Sequence, residues 1–477
     1  MENCPDICFF DATQLRSLIQ KGDVGVEEVV DAHLSQIKRF NPLVNAVITQ
    51  AREDALQQAR KMDRNLKNRG EKGPLFGIPV LLKDLTLTKD IRTTFGSPIY
   101  RDHIPRIDSI VVERLKKAGA ILLGKTNTPE FGAGSQTFNE VFGSTKNPYD
   151  LSKTCGGSSG GSAVSLACGF APLADGSDFG GSLRNPASFC NVVGFRPSSG
   201  RVPVWPKQSG WFNLSVAGPM GRTVKDVALM LSVMAGPDHR DPLSLDTEGV
   251  KFSGPLEKKF NKVKVGWSPD LGGLPVDAEV LDVIQSKRKI FEDLGCIVED
   301  VTPDLTDADE IFEVLRAWHY DLCFGELMRT HKTRMKDTVI WNIEQGQKLS
   351  GNDLAQVEKM RTILFHRVSN FFKDFDYLIT PTVQVLPFDV DQPYVKRIND
   401  LDLKTYIEWM RSCYRISVTG MPSISVPCGF SKSGLPVGIQ IVGGFRQDFS
   451  VLQIAHAFEA RTLYSRKRPA LEKISLN

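Results

Sequence analysis

Between Gly156 and Cys190 the chain reads GGSSGGSAVSLACGFAPLADGSDFGGSLRNPASFC, a stretch rich in serine and glycine that contains no histidine. Serine beside glycine suggests an exposed nucleophile, and a serine hydroxyl needs a base to take its proton. Two clusters compete for that role. In Gly157-Ser-Ser-Gly-Gly161, Ser159 fits the G-x-S-x-G nucleophile elbow. In Asp178-Phe-Gly-Gly-Ser-Leu-Arg, two glycines stand immediately before Ser182, where backbone N–H groups can gather around a reacting oxygen without side-chain obstruction. A glycine-serine loop can also be no more than a turn, so composition alone decides nothing.

The elbow reading needs a strand leading directly into it, and a histidine. Asn147 to Thr154 reads instead as a turn-rich loop, and the histidine it requires would be His366 or His456, far along the chain. A Ser-His-Asp esterase of the α/β-hydrolase type is kept as a rival from another class. A nucleotide-binding loop is not kept. Gly119 to Thr126 matches G-x-x-x-x-G-K-T, but the apolar strand lies inside the motif, and Pro129 disfavours a helix after it.

The elements that must position these residues follow from periodicity. The first seventy residues read as helices, with apolar positions returning every three or four residues from Asp11 and again from Val26. From Gly77, short apolar runs such as GIPVLLKD, AILLGKT and VKVGW alternate with amphipathic helices. In DSIVVERLKKAG, Ile107, Val111, Leu115 and Ala118 share a face, Asp108 caps the start and Gly119 closes the end. Thr223 and Asp226 make a capping box, and Gly160 to Cys168 is a short helix of small residues ended by Gly169. The alternation predicts an α/β fold: one large domain, with a central mixed twisted β-sheet flanked by helices. Its parts are N-terminal helices over 1–70, a catalytic core over 73–235 and a substrate-shaping, sheet-completing half over 236–477. Residues 236–262 make the best linker candidate between them.

Bulk properties narrow the function. Lys+Arg 59 against Asp+Glu 56 leaves a net charge of +3 in 477 residues with no long block of one sign, so no nucleic-acid footprint is expected. Nowhere do eighteen apolar residues run together, which argues against a membrane span. The N-terminus does not read as a secretory signal, and a cytoplasmic protein is expected. Nine cysteines without a C-x-x-C pair argue against a disulfide framework, and seven histidines show no zinc spacing. No metal and no cofactor is expected; the partner is a small molecule, and the protein a monomer or homodimer.

Here the sequence resembles the amidase signature family. GGSSGGSA, then D-x-GGS-L-R-x-PA-x-x-C-x-x-x-G-F-R-P, spans Gly156 to Pro197. GPLFGIPVLLKD from Gly73 looks like the family's lysine strand, GKTNTPEF from Gly124 like the loop after it, and GMPSISVP with GLPVGIQ, from Gly420 and Gly434, like its late strands. The resemblance implies a Ser-Ser-Lys triad: Ser182 the nucleophile, Ser158 the bridging serine after a cis Gly157–Ser158 bond, and Lys83 the base. It implies an acyl-enzyme, with the oxyanion held by the N–H groups of Phe179, Gly180, Gly181 and Ser182. Asp178, Arg184 and Ser159 are read as supporting. Phe179 stands where Thr or Ile is commoner in the family, which bears on the shape of the site's mouth.

An amine with an ordinary pKa of about 10.4 cannot accept a proton at neutral pH. Lys83 must therefore be desolvated, and the apolar run Ile78 to Leu82 before it offers a dry setting. If burial acts only partly, activity is expected to climb into the alkaline range, unlike that of a histidine-dependent hydrolase. The substrate implied is a linear amide, aryl or aliphatic, with esters and carbamates sharing the acyl chemistry. Aromatic stretches at 318–324, 339–341 and 406–414 are candidates for an acyl pocket and equally for helix core. A glutamine amidotransferase of the A type is the alternative within the family; it needs an acidic residue near 405–415, where Glu408 is the only carboxylate.

Overall fold

A computed structural model describes residues 7–65 and 72–474; residues 1–6 and 66–70 of the expected N-terminal helical segment lie outside the described residues. Helices α1 (Ala12–Lys21), α2 (Val26–Val44) and α3 (Arg52–Asn65) form where the apolar spacing predicts them. Leu15 and Ile19 of α1, and Val26, Val29, Val30, Leu34 and Ile37 of α2, are all buried. Between α2 and α3 lies a strand that periodicity does not separate from the helices, β1 (Val47–Gln50).

Eleven strands make one sheet. The others are β2 (Pro79–Lys83), β3 (Ile121–Thr126), β4 (Leu173–Asp178), β5 (Val193–Arg196), β6 (Val216–Gly221), β7 (Lys264–Trp267), β8 (Ile297–Asp300), β9 (Tyr377–Pro381), β10 (Ser423–Phe430) and β11 (Pro436–Gly443). Their spatial order is β1-β3-β2-β4-β6-β5-β10-β11-β9-β7-β8. The pairs β2/β3, β2/β4, β7/β8 and β7/β9 are parallel and the rest antiparallel, so the sheet is mixed, as expected. Strands β2, β3 and β11 are buried along their whole length, which is why they read as continuous apolar runs. The sheet ends at β8, four residues long and largely exposed, where Arg288 donates to the Val298 carbonyl and pairs with Asp300.

Helices cover the sheet. In chain order the next four are α4 (Ile110–Lys117), α5 (Gly160–Ala167), α6 (Arg184–Phe189) and α7 (Val224–Met234), of which α5 and α6 follow the two serine clusters directly. Helices α8 (Ala278–Gln285) and α9 (Arg288–Asp293) precede α10 (Ala308–His331) and α11 (Asp337–Gly346), which pack as a hairpin. After α12 (Gly351–Asp374) and α13 (Arg411–Thr419) come α14 (Asp448–Thr462) and a final short helix, α15 (Leu471–Ile474). No described helix is long and apolar enough to cross a membrane.

Three local expectations need correction. Ser109, not Asp108, is the N-cap of α4; the Asp108 carboxylate instead accepts from Lys89 N–H and Lys116 Nζ, and Ile107, outside the helix, is exposed. Thr223 Oγ1 accepts from Asp226 N–H, but no return bond closes the box, because Asp226 Oδ1 accepts from Thr13 N–H. The loop before the serine cluster holds a two-stranded ladder, Lys146–Asn147 against Asp150–Thr154, separate from the main sheet.

Candidate active site

Strands β2 and β4 run parallel as neighbours, with Val80 opposite Leu173 and Leu81 opposite Ala174. Their C-terminal ends therefore lie together, the place where parallel α/β sheets commonly expose their chemistry. Lys83 ends β2 and Asp178 ends β4. Period-two alternation along β4 puts Asp175 and Ser177 on one face. Asp175 Oδ1 accepts from the Lys83 backbone N–H at 2.5 Å, and Oδ2 from Thr86 Oγ1 at 2.6 Å. Lys83 Nζ donates to Ser158 Oγ at 2.7 Å and to Ser177 Oγ at 3.0 Å.

Lys83 is 0 % exposed. Burial is the main cause that brings its pKa down from 10.5 to about 7, against the opposing pull of the Asp175 and Asp178 charges. Burial likewise raises Asp175. Sequence reasoning missed Ser177 and Asp175, although their i, i+2 spacing before Asp178 carried the signal.

Ser158 lies in the turn before α5, and the Gly157–Ser158 peptide bond is cis. The turn is held by its carbonyls: Ser135 Oγ donates to Gly157 O at 2.5 Å, and Thr137 Oγ1 to Gly156 O at 2.9 Å. Asn185 Nδ2 donates to Ser135 Oγ in turn, which links this strip to α6. Ser159 caps α5 and joins the two serine clusters, its N–H donating to Ser182 O at 3.2 Å. Its Oγ reaches only backbone groups of Ser177, at 3.4 Å, and no histidine among the described residues bonds to it. His456 packs against Glu257 and Glu459, and His366 against Phe365, so the elbow reading has no base.

Ser182 is half-buried, in the loop between β4 and α6. Among the described residues its hydroxyl is not hydrogen-bonded to that of Ser158; the Ser159–Ser182 backbone bond sets their approach. The loop hangs on Asp178, whose carboxylate accepts from Gly181 N–H at 2.8 Å, Leu183 N–H at 3.1 Å, and Arg184 at 3.0 Å through both Nε and Nη2. Arg196 adds a contact at 3.1 Å. Burial alone would raise the Asp178 pKa, but the two guanidiniums outweigh it and hold the carboxyl well below the usual range. Arg184 is further fixed by Cys413 O, Gln440 Oε1 and Ser417 Oγ. Asp178 and Arg184 are thus bound to the scaffold.

One member of the expected oxyanion set is corrected by this geometry. The Gly181 N–H is engaged by Asp178, so it is not free to receive an oxyanion. The N–H groups of Phe179, Gly180 and Ser182 have no acceptor among the described residues. Phe179 is half-buried, edge-on to Phe212, Phe312 and His319 with ring centroids 5.3–5.7 Å apart.

Beside it a second apolar cluster, distinct from the main core, gathers Phe131, Ala133, Tyr320, Met328, Met335, Val339 and Ile343, with Phe179 and Phe324 against it. Gly132 adjoins Ser158, since a Cβ on it would lie 3.5 Å from Ser158 Oγ. The aromatic stretches thus divide: Tyr320 and Phe324 join this wall, whereas Trp409 is 1 % exposed in the core between Phe189 and Phe388. A cavity of about 200 Å³ reaches Ser177 and is bounded by Leu85, Trp205, Lys207 and His319. A larger one, about 650 Å³ between the N-terminal segment and α14, touches none of Lys83, Ser158 and Ser182.

Comparison with known proteins agrees with the architecture. The family model described as Amidase matches residues 28–452. An acylamidase of Rhodococcus erythropolis is 35 % identical over 469 residues, covering 97 % of both chains. The A subunit of the glutamyl-tRNA(Gln) amidotransferase of Alkaliphilus metalliredigens is also 35 % identical, over 91 % of this chain and 92 % of its own. The crystal structure of a bacterial aryl acylamidase of the amidase signature family superposes with a TM-score of 0.90 at 29 % identity, over 96 % of this chain and 98 % of that one. A family match across most of the chain, with the eleven-stranded sheet of its solved members, means that this chain belongs to the amidase signature family of amidohydrolases.

Proposed function

We propose that the chain is a stand-alone serine amidase that cleaves linear carboxylic amides, aryl or aliphatic, through an acyl-enzyme on Ser182. The observation that carries this reading is the 2.7 Å contact of a fully buried Lys83 amine with Ser158 Oγ, at a pKa near neutrality. Neutral Lys83 takes the proton of Ser158, Ser158 takes that of Ser182, and the Ser182 oxygen attacks the amide carbonyl. The oxyanion faces the free N–H groups of Phe179, Gly180 and Ser182, each worth about 3 kcal/mol in the transition state. The proton then returns along the same path to the leaving nitrogen, so the amine departs neutral, and water releases the acid.

Relatives of both kinds match equally well, and Glu408 favours the acylamidase side. An amidotransferase would use a carboxylate in this region, whereas Glu408 accepts from the Lys404 and Thr405 N–H groups, both at 3.1 Å, and pairs with Arg411 at 3.2 Å. It is committed to its own turn.

The test is a matched anilide and activated ester, assayed with wild type, Ser182→Ala and Lys83→Met. Ser182→Ala is expected to abolish both turnovers. Lys83→Met is expected to cost the anilide at least about a thousandfold in kcat and the ester less, because an alkoxide leaves with less help from a proton donor than an amine does. Equal losses would make Lys83 a structural residue, and an unimpaired variant would remove the lysine mechanism.

A further inference from the structure

Arg316 is a guanidinium on α10 that is 4 % exposed. Its Nε donates to Asn342 Oδ1 at 3.1 Å, and its Nη2 to the hydroxyls of Tyr406 and Tyr320 at 2.9 and 3.3 Å. Its Cζ lies 4.6 Å from the Tyr320 ring centroid and 5.5–5.9 Å from those of Phe179, Phe312 and Tyr406. Ring faces attract a cation, but none of these partners carries a charge. Among the described residues Arg316 forms no ion pair, whereas the equally deep Arg184 and Arg196 share Asp178, and Arg201 has Asp448. A buried cation without a counter-charge is costly. Nη1 has no acceptor among the described residues, and it is not one of the atoms sealed from solvent.

The position of Arg316 relates this uncompensated charge to the chemistry. Phe179, under the guanidinium, begins the loop that carries Ser182. Tyr320, its hydrogen-bond partner, donates to Phe131 O at 3.5 Å, and the next residue, Gly132, adjoins Ser158. Arg316 thus stands on the wall between the two backbone strips that flank the serines. One helical turn on, burial and then the charges of Lys207 and Arg316 bring the His319 pKa down to about 3, so this wall is electropositive while His319 stays neutral. Lys207, the other cation there, feels the opposing charge of Asp241.

We infer that Arg316 receives a carboxylate carried by the substrate away from the scissile bond, so that the preferred amides are anionic ones. This rests on Ser182 being the reacting residue, and it assigns Arg316 to substrate selection. The carboxylate could belong to the acyl part, as in the monoamide of a dicarboxylic acid, or to the amine part, as in an aminobenzoate amide. Both present the same group to the guanidinium.

Three amides of one length distinguish these cases: hexanoyl anilide, adipoyl monoanilide and hexanoyl 4-aminobenzoate. Wild type is expected to prefer one of the two anionic amides about tenfold or more in kcat/KM, the size of one charge-assisted hydrogen bond. Arg316→Met is expected to remove that preference through KM, costing the anionic amide at least about tenfold more than the neutral anilide, while Arg316→Lys retains part of it. Calorimetric binding of the same amides to Ser182→Ala, with and without Arg316→Met, tests recognition without turnover. Arg316-dependent binding of an anionic amide with no wild-type turnover would uphold this inference and sink the Ser182 mechanism. Turnover with the neutral amide preferred, or equal losses on neutral and anionic amides in Arg316→Met, would overturn the inference alone. Should Arg316→Met fail to fold, the wild-type comparison of neutral and anionic amides still decides.

Discussion

Between about pH 7 and 10.5, Lys83 is charged in the unfolded chain and largely neutral in the folded one. Its ordinary pKa of 10.5 falls to about 7 because the whole side chain leaves water. Activity is therefore expected to rise through pH 7 and then level, not to climb far into the alkaline range as partial burial would have it. The profile alone then does not distinguish this lysine from a histidine; the Lys83→Met variant does. The same shift has a cost in stability. Below pH 7 the folded state must hold a buried ammonium. Between about 7 and 10.5 the unfolded state binds the extra proton, so this residue's contribution to stability rises with pH across that window. Lys83→Met is expected to raise the melting temperature most near pH 6, with the gain shrinking toward pH 10. Thermal unfolding of both proteins at the two pH values checks it, and a loss of stability at pH 6 would contradict it. The sequence carried the need for a dry lysine, since five apolar or proline positions precede it. It did not carry the extent of the shift, set first by complete burial and then by the opposing charges of Asp175 and Asp178 on another strand.

The loop from Phe179 to Leu183 joins a strand to a helix, and its glycines are required by what surrounds them. A Cβ on Gly180 would lie 2.6 Å from the Phe312 ring. Gly181 has φ +124°, and a Cβ there would meet Cys413 Cβ at 2.6 Å and Asn185 Nδ2 at 2.7 Å. Gly181→Ala combines an unfavourable backbone with two clashes. By shifting the neighbouring Gly180 and Ser182 N–H groups it is expected to lower kcat by about a hundredfold or more, the size of one misplaced oxyanion donor, and to lower the melting temperature. Near wild-type labelling of Ser182 by a sulfonyl fluoride in this variant would show that the loop adapts. The glycine pair was legible in the sequence as a place for N–H groups to gather. That Gly181 gives its N–H to Asp178 was not, because the bond closes a turn whose shape is set by Arg184 and Arg196. Short elements escaped for a related reason: β1 has four residues between two periodic helices, too few to establish a period of its own.

The sheet draws on all three parts into which the sequence divides the chain, and its continuity limits how far those parts are separable. β5 of the core pairs with β10 of the last half, Ser423 opposite Arg196. Arg184 takes acceptors from Cys413, Ser417 and Gln440, more than two hundred residues away. Residues 73–235 expressed alone would expose the β5 edge and leave those bonds unmade, and the fragment is expected to aggregate or lack near-ultraviolet dichroism. A soluble fragment with a cooperative unfolding transition would make the core a domain in its own right. Such distant partnerships were the least legible part of the sequence, because helical and strand periods report which face is buried and not against what. The α/β class, the serine clusters, the supporting Asp178 and Arg184 and the 318–324 aromatic stretch were readable; Asp175, Ser177 and the partners that Arg184 and Arg196 find across the sheet were not. At the far end of the sheet, β8 stops what β1 to β7 and β9 to β11 build. An open strand edge is a template on which another chain can add a strand. Here the template is four residues long, carries Glu299 and Asp300, and has the Val298 carbonyl occupied by Arg288. A single guanidinium thus acts as a terminator, occupying an acceptor that an added strand would otherwise use.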